Sequence, residues 1–312
     1  MVIHSTSFVH SSNSMKKNQY RVALIGPGKV GSALGNMLTT NGHEVLAITG
    51  RDARRTGSTS ARTKTSLSST DVGKIPDRTN VILIATPGMA VPEIVKKLAE
   101  NHSVHWKNIL VVHTSGSDGA EILAPLAKLG ARTAAIHPIQ SFPKMLSPEE
   151  AFIALHGITY GYDAPKNSLT AARSFIHALD GKPFHVPASL RPLYHAMCVF
   201  ASGYAVQVLQ TIEDLRKQLP GNMPWQDIIG PLFLQSVTNA FNESPLAATT
   251  GPMVRGDVAT VRAHIKALSK KTPAALDAYR ALGLLTVDNL ASAKKLDKKT
   301  ATLLRDALSS KK

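Results

Sequence analysis

The sequence predicts an α/β protein, with an N-terminal Rossmann-type parallel sheet followed by an all-α domain. Three observations carry that reading. A glycine-rich turn, Gly26-Pro27-Gly28-Lys29-Val30-Gly31, stands between a short apolar run and a helix-period pattern. Strand-length apolar runs then alternate with helical patterns as far as Val186. Beyond Pro187 no strand pattern returns and helical periodicity takes over. The expected division is a disordered leader at 1–19, a dinucleotide-binding domain at 20–186 and a helical domain at 187–312. A break near 150 is the alternative, if 157–186 belongs with the helices.

Along the chain, Arg21-Val22-Ala23-Leu24-Ile25 ends on glycine and reads as a buried parallel strand. Val30, Ala33, Leu34, Met37 and Leu38 share one helical face, and Gly42 closes that helix as a left-handed cap. Glu44 to Thr49 is the second strand. Asn80 to Ala85 and Ile109 to His113 are the next two, with helices around Pro92 to Ala99 and Ala120 to Leu129. Thr133 to His137, Gly157 to Tyr162 and Pro183 to Val186 complete the strands, with a helix from Asn167 to Leu179. Such alternation implies an open parallel sheet with right-handed crossovers. In the second half helices are expected at 193–217, 225–242, 258–270, 274–285 and 299–308. Residues 196–205 are apolar nearly all round, which predicts burial on most sides, by the same domain or by a partner subunit.

Composition narrows the function classes. The chain has 312 residues and one cysteine, Cys198, which excludes a disulfide scaffold and a cysteine-rich zinc site and fits the cytoplasm. Aromatics are 5 % of residues, too few to make stacking platforms for single-stranded nucleic acid. No apolar stretch reaches the roughly 18 residues of a membrane span. No metal site is expected: His102 and His105 are three apart but lack a carboxylate-rich partner segment. The anomaly is charge, 36 Lys+Arg against 21 Asp+Glu, formally +15. Charge alone suggests a nucleic-acid partner. The clustering argues otherwise, because five basic residues against Asp52 alone lie between Arg51 and Lys64.

That cluster sits beside a dinucleotide motif. In G-x-G-x-x-G, Gly26 allows the tight turn, Gly28 lets the backbone approach a pyrophosphate, and Gly31 lets helix pack on strand. The helix N-terminus offers free N–H groups to the phosphates. Pro27, Lys29 and Val30 complete the turn. Selection of NAD calls for Asp or Glu at the tip of the second strand, where Thr49 stands with Arg51 close behind. Arginine there can hold a 2′-phosphate, so NADP(H) is favoured over NAD(H). A two-residue shift of the strand end would instead make Asp52 the ribose partner. Arg54 and Arg55 read as solvated helix-face charge.

Ligands of such sheets bind outside the carboxyl ends of the strands. Thr86-Pro87-Gly88 and His113-Thr114-Ser115-Gly116 come after strands at that edge and are expected to line the nicotinamide side. Ser115 reads equally as a turn former or a site residue. Hydride transfer needs a partner for the proton, a role that suits histidine. His113 and His137 each end a strand, and His195 begins the apolar helix; each is a catalytic candidate or an interior hydrogen-bonded residue. In Thr250-Gly251-Pro252-Met253-Val254-Arg255-Gly256-Asp257 the glycines mark a constrained loop, Arg255 can grip a carboxylate or phosphate, and Asp257 reads as a helix N-cap. Asn239 is a further candidate donor to substrate.

The order GPGKVG, ATPG, HTSG, His137-Pro138-Ile139-Gln140-Ser141-Phe142-Pro143, Tyr194-His195 and the 250–257 segment resembles one family over residues 20–285. It is the Rossmann-like oxidoreductases whose C-terminal half carries a domain-of-unknown-function label. The family is similar in plan to pyrroline-5-carboxylate reductases, deazaflavin-dependent NADP reductases and β-hydroxyacid dehydrogenases. The resemblance implies an NADP-binding domain and a helical, dimer-forming C-terminal domain, and supplies no substrate. Relatives carry Ser-Asn where this chain has Ser202-Gly203. The expected function is NADP(H)-dependent hydride transfer to or from a small anionic carbonyl, hydroxyl or imine compound, in a homodimer. The rivals are a dinucleotide-binding sensor or scaffold without turnover and, on charge alone, a nucleic-acid-associated protein.

Overall fold

The computed structural model describes residues 19–309. The leader expected at 1–19, with His4 and His10, lies outside them apart from Gln19, as does Lys311-Lys312. The described chain forms two compact units that divide between Ala201 and Ser202. The last strand of the first unit ends at His185, so the division falls within the helical run after it.

The first unit is built on one eight-stranded sheet. Its elements are β1 (Arg21–Ile25), α1 (Lys29–Thr40), β2 (Glu44–Thr49), α2 (Ala53–Thr63), β3 (Leu67–Ser69), β4 (Val81–Ile84), α3 (Val91–Ala99) and β5 (Leu110–His113). Then come α4 (Ala124–Lys128), β6 (Arg132–Pro138), α5 (Pro148–Ile153), β7 (Thr159–Asp163), α6 (Leu169–Ala178), β8 (Lys182–His185) and α7 (Arg191–Val199). The strand order is β3-β2-β1-β4-β5-β6-β7-β8. Strands alternate their side chains between two apolar layers. Val22 and Leu24 of β1 face one cluster with α1 and α6, while Ala23 and Ile25 face the other with α3. This is why the strands read as unbroken apolar runs.

The fully parallel sheet expected from the alternation is corrected at one place. β7 runs antiparallel to β6, with His137 opposite Gly161, and β8 is then parallel to β7. A crossover helix normally returns the chain to the same end of the sheet for the next parallel strand. The segment between β6 and β7 carries only the short α5, and the chain re-enters from the other end. Gly42, as expected, has a left-handed φ of +82° just after α1.

A π-helical turn, Phe200–Tyr204, comes directly after α7. The second unit contains α8 (Ala205–Arg216), α9 (Trp225–Asn242), α10 (Pro245–Ala248), α11 (Val258–Lys271), α12 (Pro273–Ser292) and α13 (Lys298–Ser309). Val261, Val287, Leu304 and Leu308 join α11, α12 and α13 in one core. Asp257 caps α11: one carboxylate oxygen accepts from the Thr260 N–H at 3.0 Å and the other from its hydroxyl at 2.6 Å. Gly251 and Gly256, with φ of +103° and +68°, form the constrained loop before it.

Burial of residues 196–205 within the chain is corrected. No residue of this stretch is buried, and Met197, Phe200 and Tyr204 are exposed. Helices α8 and α9 likewise bury none of their residues. The all-round apolar pattern reports a surface that the single chain leaves uncovered. No described helix is long and apolar enough to cross a membrane.

Candidate active site

The carboxyl ends of β1, β4, β5 and β6 open on one cavity of about 1240 Å³. Its floor is the glycine turn. Gly26 holds φ +97°, donates its N–H to Thr49 O at 2.8 Å, and has Thr86 Cγ2 only 2.6 Å from where a Cβ would stand. A Cβ on Gly31 would lie 2.1 Å from Gly26 O, so the helix could not approach the turn. Gly28 differs, because a Cβ there would meet nothing within 4 Å and would project into open space. Gly28 is also the N-cap of α1 and makes no side-chain cap bond. An open cradle under free helix N–H groups fits a pyrophosphate.

Of the residues expected to hold the cofactor, Pro27, Gly28, Lys29, Val30, Thr86 and Pro87 line the cavity. Lys29 Nζ donates to the carbonyl of Leu146, which ties the 139–147 loop to the glycine turn. At the tip of β2, Thr49 is buried and its hydroxyl has no hydrogen-bond partner among the described residues. Asp52 is not at that tip. Its side chain accepts from the Arg55 N–H at 3.1 Å and caps α2. Arg51 is exposed, does not line the cavity, and lies near Glu93. Lys97, first, and Arg51 hold that carboxyl below its ordinary range. The cations that do line the cavity are Lys29, Arg55, Arg62 and Lys144, against one carboxylate, Asp118.

The three histidines meet different fates. His113 is fully buried and does not line the cavity. Its Nδ1 accepts from the Ser115 N–H at 3.2 Å, so its Nε2–H donates to Gly119 O at 2.9 Å. Burial pushes its pKa down. The ring is the hub around which the 114–119 turn folds. Ser115 and Gly116 of that turn line the cavity, and Ser115 Oγ donates to Asp118 Oδ2 at 2.5 Å.

His137 and His195 both line the cavity. They meet over Gly116, where a Cβ would stand 2.6 Å from His195 Cδ2 and 3.0 Å from His137 Nε2. Their ring centroids are 6.1 Å apart. His137 Nδ1 bonds to the Tyr194 hydroxyl at 2.6 Å. Desolvation first, then the Arg191 and His195 charges, lower the His137 pKa to about 4. Arg255 is an exposed residue of the second unit, two positions before the α11 cap. Among the described residues no group of three or more His, Cys, Asp or Glu is placed to hold a metal ion.

Sequence reasoning missed Arg191, whose side chain is fully buried. Its Nη2 donates to Ser115 O at 2.7 Å, and its guanidinium lies 5.8 Å from the Tyr194 ring centroid. The available signal was a lone cation ahead of Pro192-Leu193-Tyr194 at a helix start.

Residues 7–138 match the model of the Rossmann-like domain, and residues 158–286 match that of a domain of unknown function, DUF2520. The chain pairs a Rossmann-like domain with a DUF2520 domain. The Rossmann-like match ends on Pro138, the last residue of β6, and the DUF2520 match opens just before the reversed strand β7. Tyr194 and His195 therefore come from the DUF2520 segment, and His137 from the Rossmann-like one.

Among solved structures, protein TM1727 from Thermotoga maritima is 21 % identical, with a TM-score of 0.67 over 88 % of this chain and 99 % of that one. A reductive aminase from Aspergillus terreus, in complex with NADPH and ethyl levulinate, is 14 % identical, with a TM-score of 0.60 over 92 % and 99 %. A pyrroline-5-carboxylate reductase from Coxiella burnetii is 15 % identical, with a TM-score of 0.55 over 94 % and 100 %. At these identities the likeness is one of fold. No curated protein sequence matches.

Proposed function

We propose that the protein is an NADP(H)-dependent oxidoreductase acting on a small anionic carbonyl, hydroxyl or imine compound. The observation that carries the reading is the meeting of His137 and His195 over Gly116, in the same cavity as the open cradle at Gly28. Bound cofactor would supply or accept the hydride at nicotinamide C4. In the direction of reduction, His195 gives a proton to the substrate oxygen or nitrogen as the hydride reaches carbon. His137, neutral at physiological pH, donates a hydrogen bond to the same atom as negative charge develops there. Two histidines thus take two roles, as groups in different environments do.

Preference for NADP(H) is supported by Thr49 at the strand tip, by Asp52 being spent on the α2 cap, and by Arg55 and Arg62 on the cavity wall. Arg51 remains the proposed 2′-phosphate partner at the exposed start of α2. An anionic substrate is supported by Lys144 in the 139–147 loop. The test is NADPH oxidation screened against oxo acids and imines. Turnover of any of them supports the reading. Tight NADPH binding with no turnover across the panel replaces it with a dinucleotide sensor.

A second copy of the chain is the proposed partner. Helix α9 has 18 residues, none buried, and exposes Leu232, Leu234 and Phe241 while carrying a single charged residue, Asp227. An apolar, charge-poor face of this size has the character of an obligate interface, like a core cut in half. Sedimentation should give a dimer for the wild type and a monomer for Leu234→Glu with Phe241→Glu; a wild-type monomer contradicts it. Cys198, the only cysteine, supports a cytoplasmic location.

A further inference from the structure

We propose that Tyr194 and Arg191 are positioning residues that hold His137 as a neutral hydrogen-bond donor, with its Nε2–H presented to the cavity over Gly116. The inference rests on the proposed role of His137 and assigns that role its orientation and charge state.

Geometry sets the orientation. The Tyr194 hydroxyl lies 2.6 Å from His137 Nδ1, and Tyr194 also bonds to Cys198. A thiol sulphur is a weak acceptor, whereas an unprotonated imidazole nitrogen is a good one. The phenol proton therefore goes to Nδ1. With Nδ1 accepting, the ring proton sits on Nε2, the atom that stands 3.0 Å from the Cβ position of Gly116. Glycine at 116 and glycine at 161 make this possible. A Cβ at 161 would lie 2.2 Å from the Tyr194 hydroxyl, on the residue that pairs with His137 across β6 and β7.

Burial first, and then Arg191, keep the ring neutral. Arg191 is itself fully buried, and its Nε and Nη1 have no hydrogen-bond partner among the described residues. Three carboxylates lie close enough to act on it, Asp118, Glu121 and Asp163. Each is engaged by the 115–120 turn instead: Asp118 by Ser115 Oγ at 2.5 Å, Glu121 by Gly119 N–H at 3.1 Å, and Asp163 by Ala120 N–H at 2.9 Å. Among the described residues the guanidinium has no ion pair, and it lies beside the ring that holds His137. A second positive charge on His137, already disfavoured by burial, is thereby opposed, and His195, with its ring centroid 6.1 Å away, opposes it too. From β5 and β7 the remaining titratable groups near the strand end are His113, Tyr160 and Tyr162. A buried charge normally has a paired counterion. Here the carboxylates shape the turn and the cation is kept for the histidine.

The test needs no substrate. Full-length protein labelled with ¹⁵N-histidine is followed by long-range ¹H–¹⁵N imidazole spectra, with His137 assigned through His137→Asn. The expected wild-type pattern is the Nε2–H tautomer, titrating near 4. In Tyr194→Phe the Nδ1 signal should move to the position of an acceptor without a donor, and both tautomers should be populated. In Arg191→Met the titration midpoint should rise above about 4 while staying below 6.5, because burial still opposes the charge, with the tautomer unchanged. An Nδ1–H tautomer in the wild type overturns the proposal, as does an unmoved midpoint in folded Arg191→Met. Should that variant fail to fold, the wild-type tautomer and Tyr194→Phe still decide. An inactive protein with the expected spectra would refute the enzymatic reading and leave this one standing. An active protein with an Nδ1–H tautomer would do the reverse.

Discussion

Two strands of the same sheet carry a histidine at their carboxyl ends, His113 as the last residue of β5 and His137 as the last but one of β6, and the two are put to different uses. At β5, His113 is sealed from solvent and both ring nitrogens are taken by its own turn, through Ser115 N–H and Gly119 O. At β6, His137 gives one nitrogen to Tyr194 and keeps the other at the cavity. Residue type is the same and both lie at the same edge of the sheet, His137 two residues further along its strand than the partner of His113. The difference lies in the segment after each strand. A turn rich in glycine and serine folds back on His113, whereas β6 runs on through Pro138 and leaves its histidine to a helix far along the chain. A strand-end histidine is thus a site residue only when its own loop leaves a nitrogen free.

The largest effect that would sharpen this contrast is on turnover. His137→Asn should lower the rate about 10²–10⁴-fold, the usual worth of such a group, with little change in melting temperature. Equal loss from a well-folded His113→Asn would break the contrast.

The pH dependence of stability comes next. An unfolded histidine takes up its proton near 6.5, whereas folded His137 stays neutral until about 4. Its contribution is therefore fully present above 6.5 and is lost as pH falls toward 4, a total of roughly 3 kcal/mol. His113 is shifted in the same direction and adds to the loss. Denaturant melts across this range should show the decline, and His137→Asn should flatten part of it. A wild-type stability flat over that interval contradicts the buried, neutral ring.

His113→Leu should cost about 1–3 kcal/mol by orphaning the Ser115 N–H and Gly119 O, and should loosen NADPH binding through the displaced turn. Calorimetry and a binding isotherm on one sample check both. The smallest expected effect lies at a third strand end. Asp52→Ala should cost about 1 kcal/mol as a lost cap of α2, while leaving the NADPH-over-NADH preference intact. A gain in NADH affinity on restoring the acid, and its loss in the alanine variant, would show instead that Asp52 binds ribose.

Legibility in the sequence depends on range. The glycine turn, the apolar strands and the caps at Gly42 and Asp257 depend on residues close in sequence, and all were readable. Helix α2 was harder, because its inner face is Thr56, Thr59, Ser60 and Thr63 rather than an apolar stripe. The 196–205 pattern is legible as apolar but leaves open whether the same domain or a partner subunit covers it, since periodicity does not say which molecule covers a face. The candidate site was legible as a set of histidines at one edge. Sorting them needed Arg191 and Tyr194, which lie 76 and 57 positions from the atoms they bond.

The position of the nicotinamide ring decides whether His137 and His195 do chemistry. A crystal structure with NADP⁺ bound measures it directly. The prediction is pyrophosphate over Gly28 and nicotinamide C4 above Gly116, within about 4 Å of a group held by His137 or His195, a separation near the reactive range. A nicotinamide bound elsewhere, with no histidine at that distance, or a Gly28 cradle that stays empty at saturating NADP⁺, would contradict it.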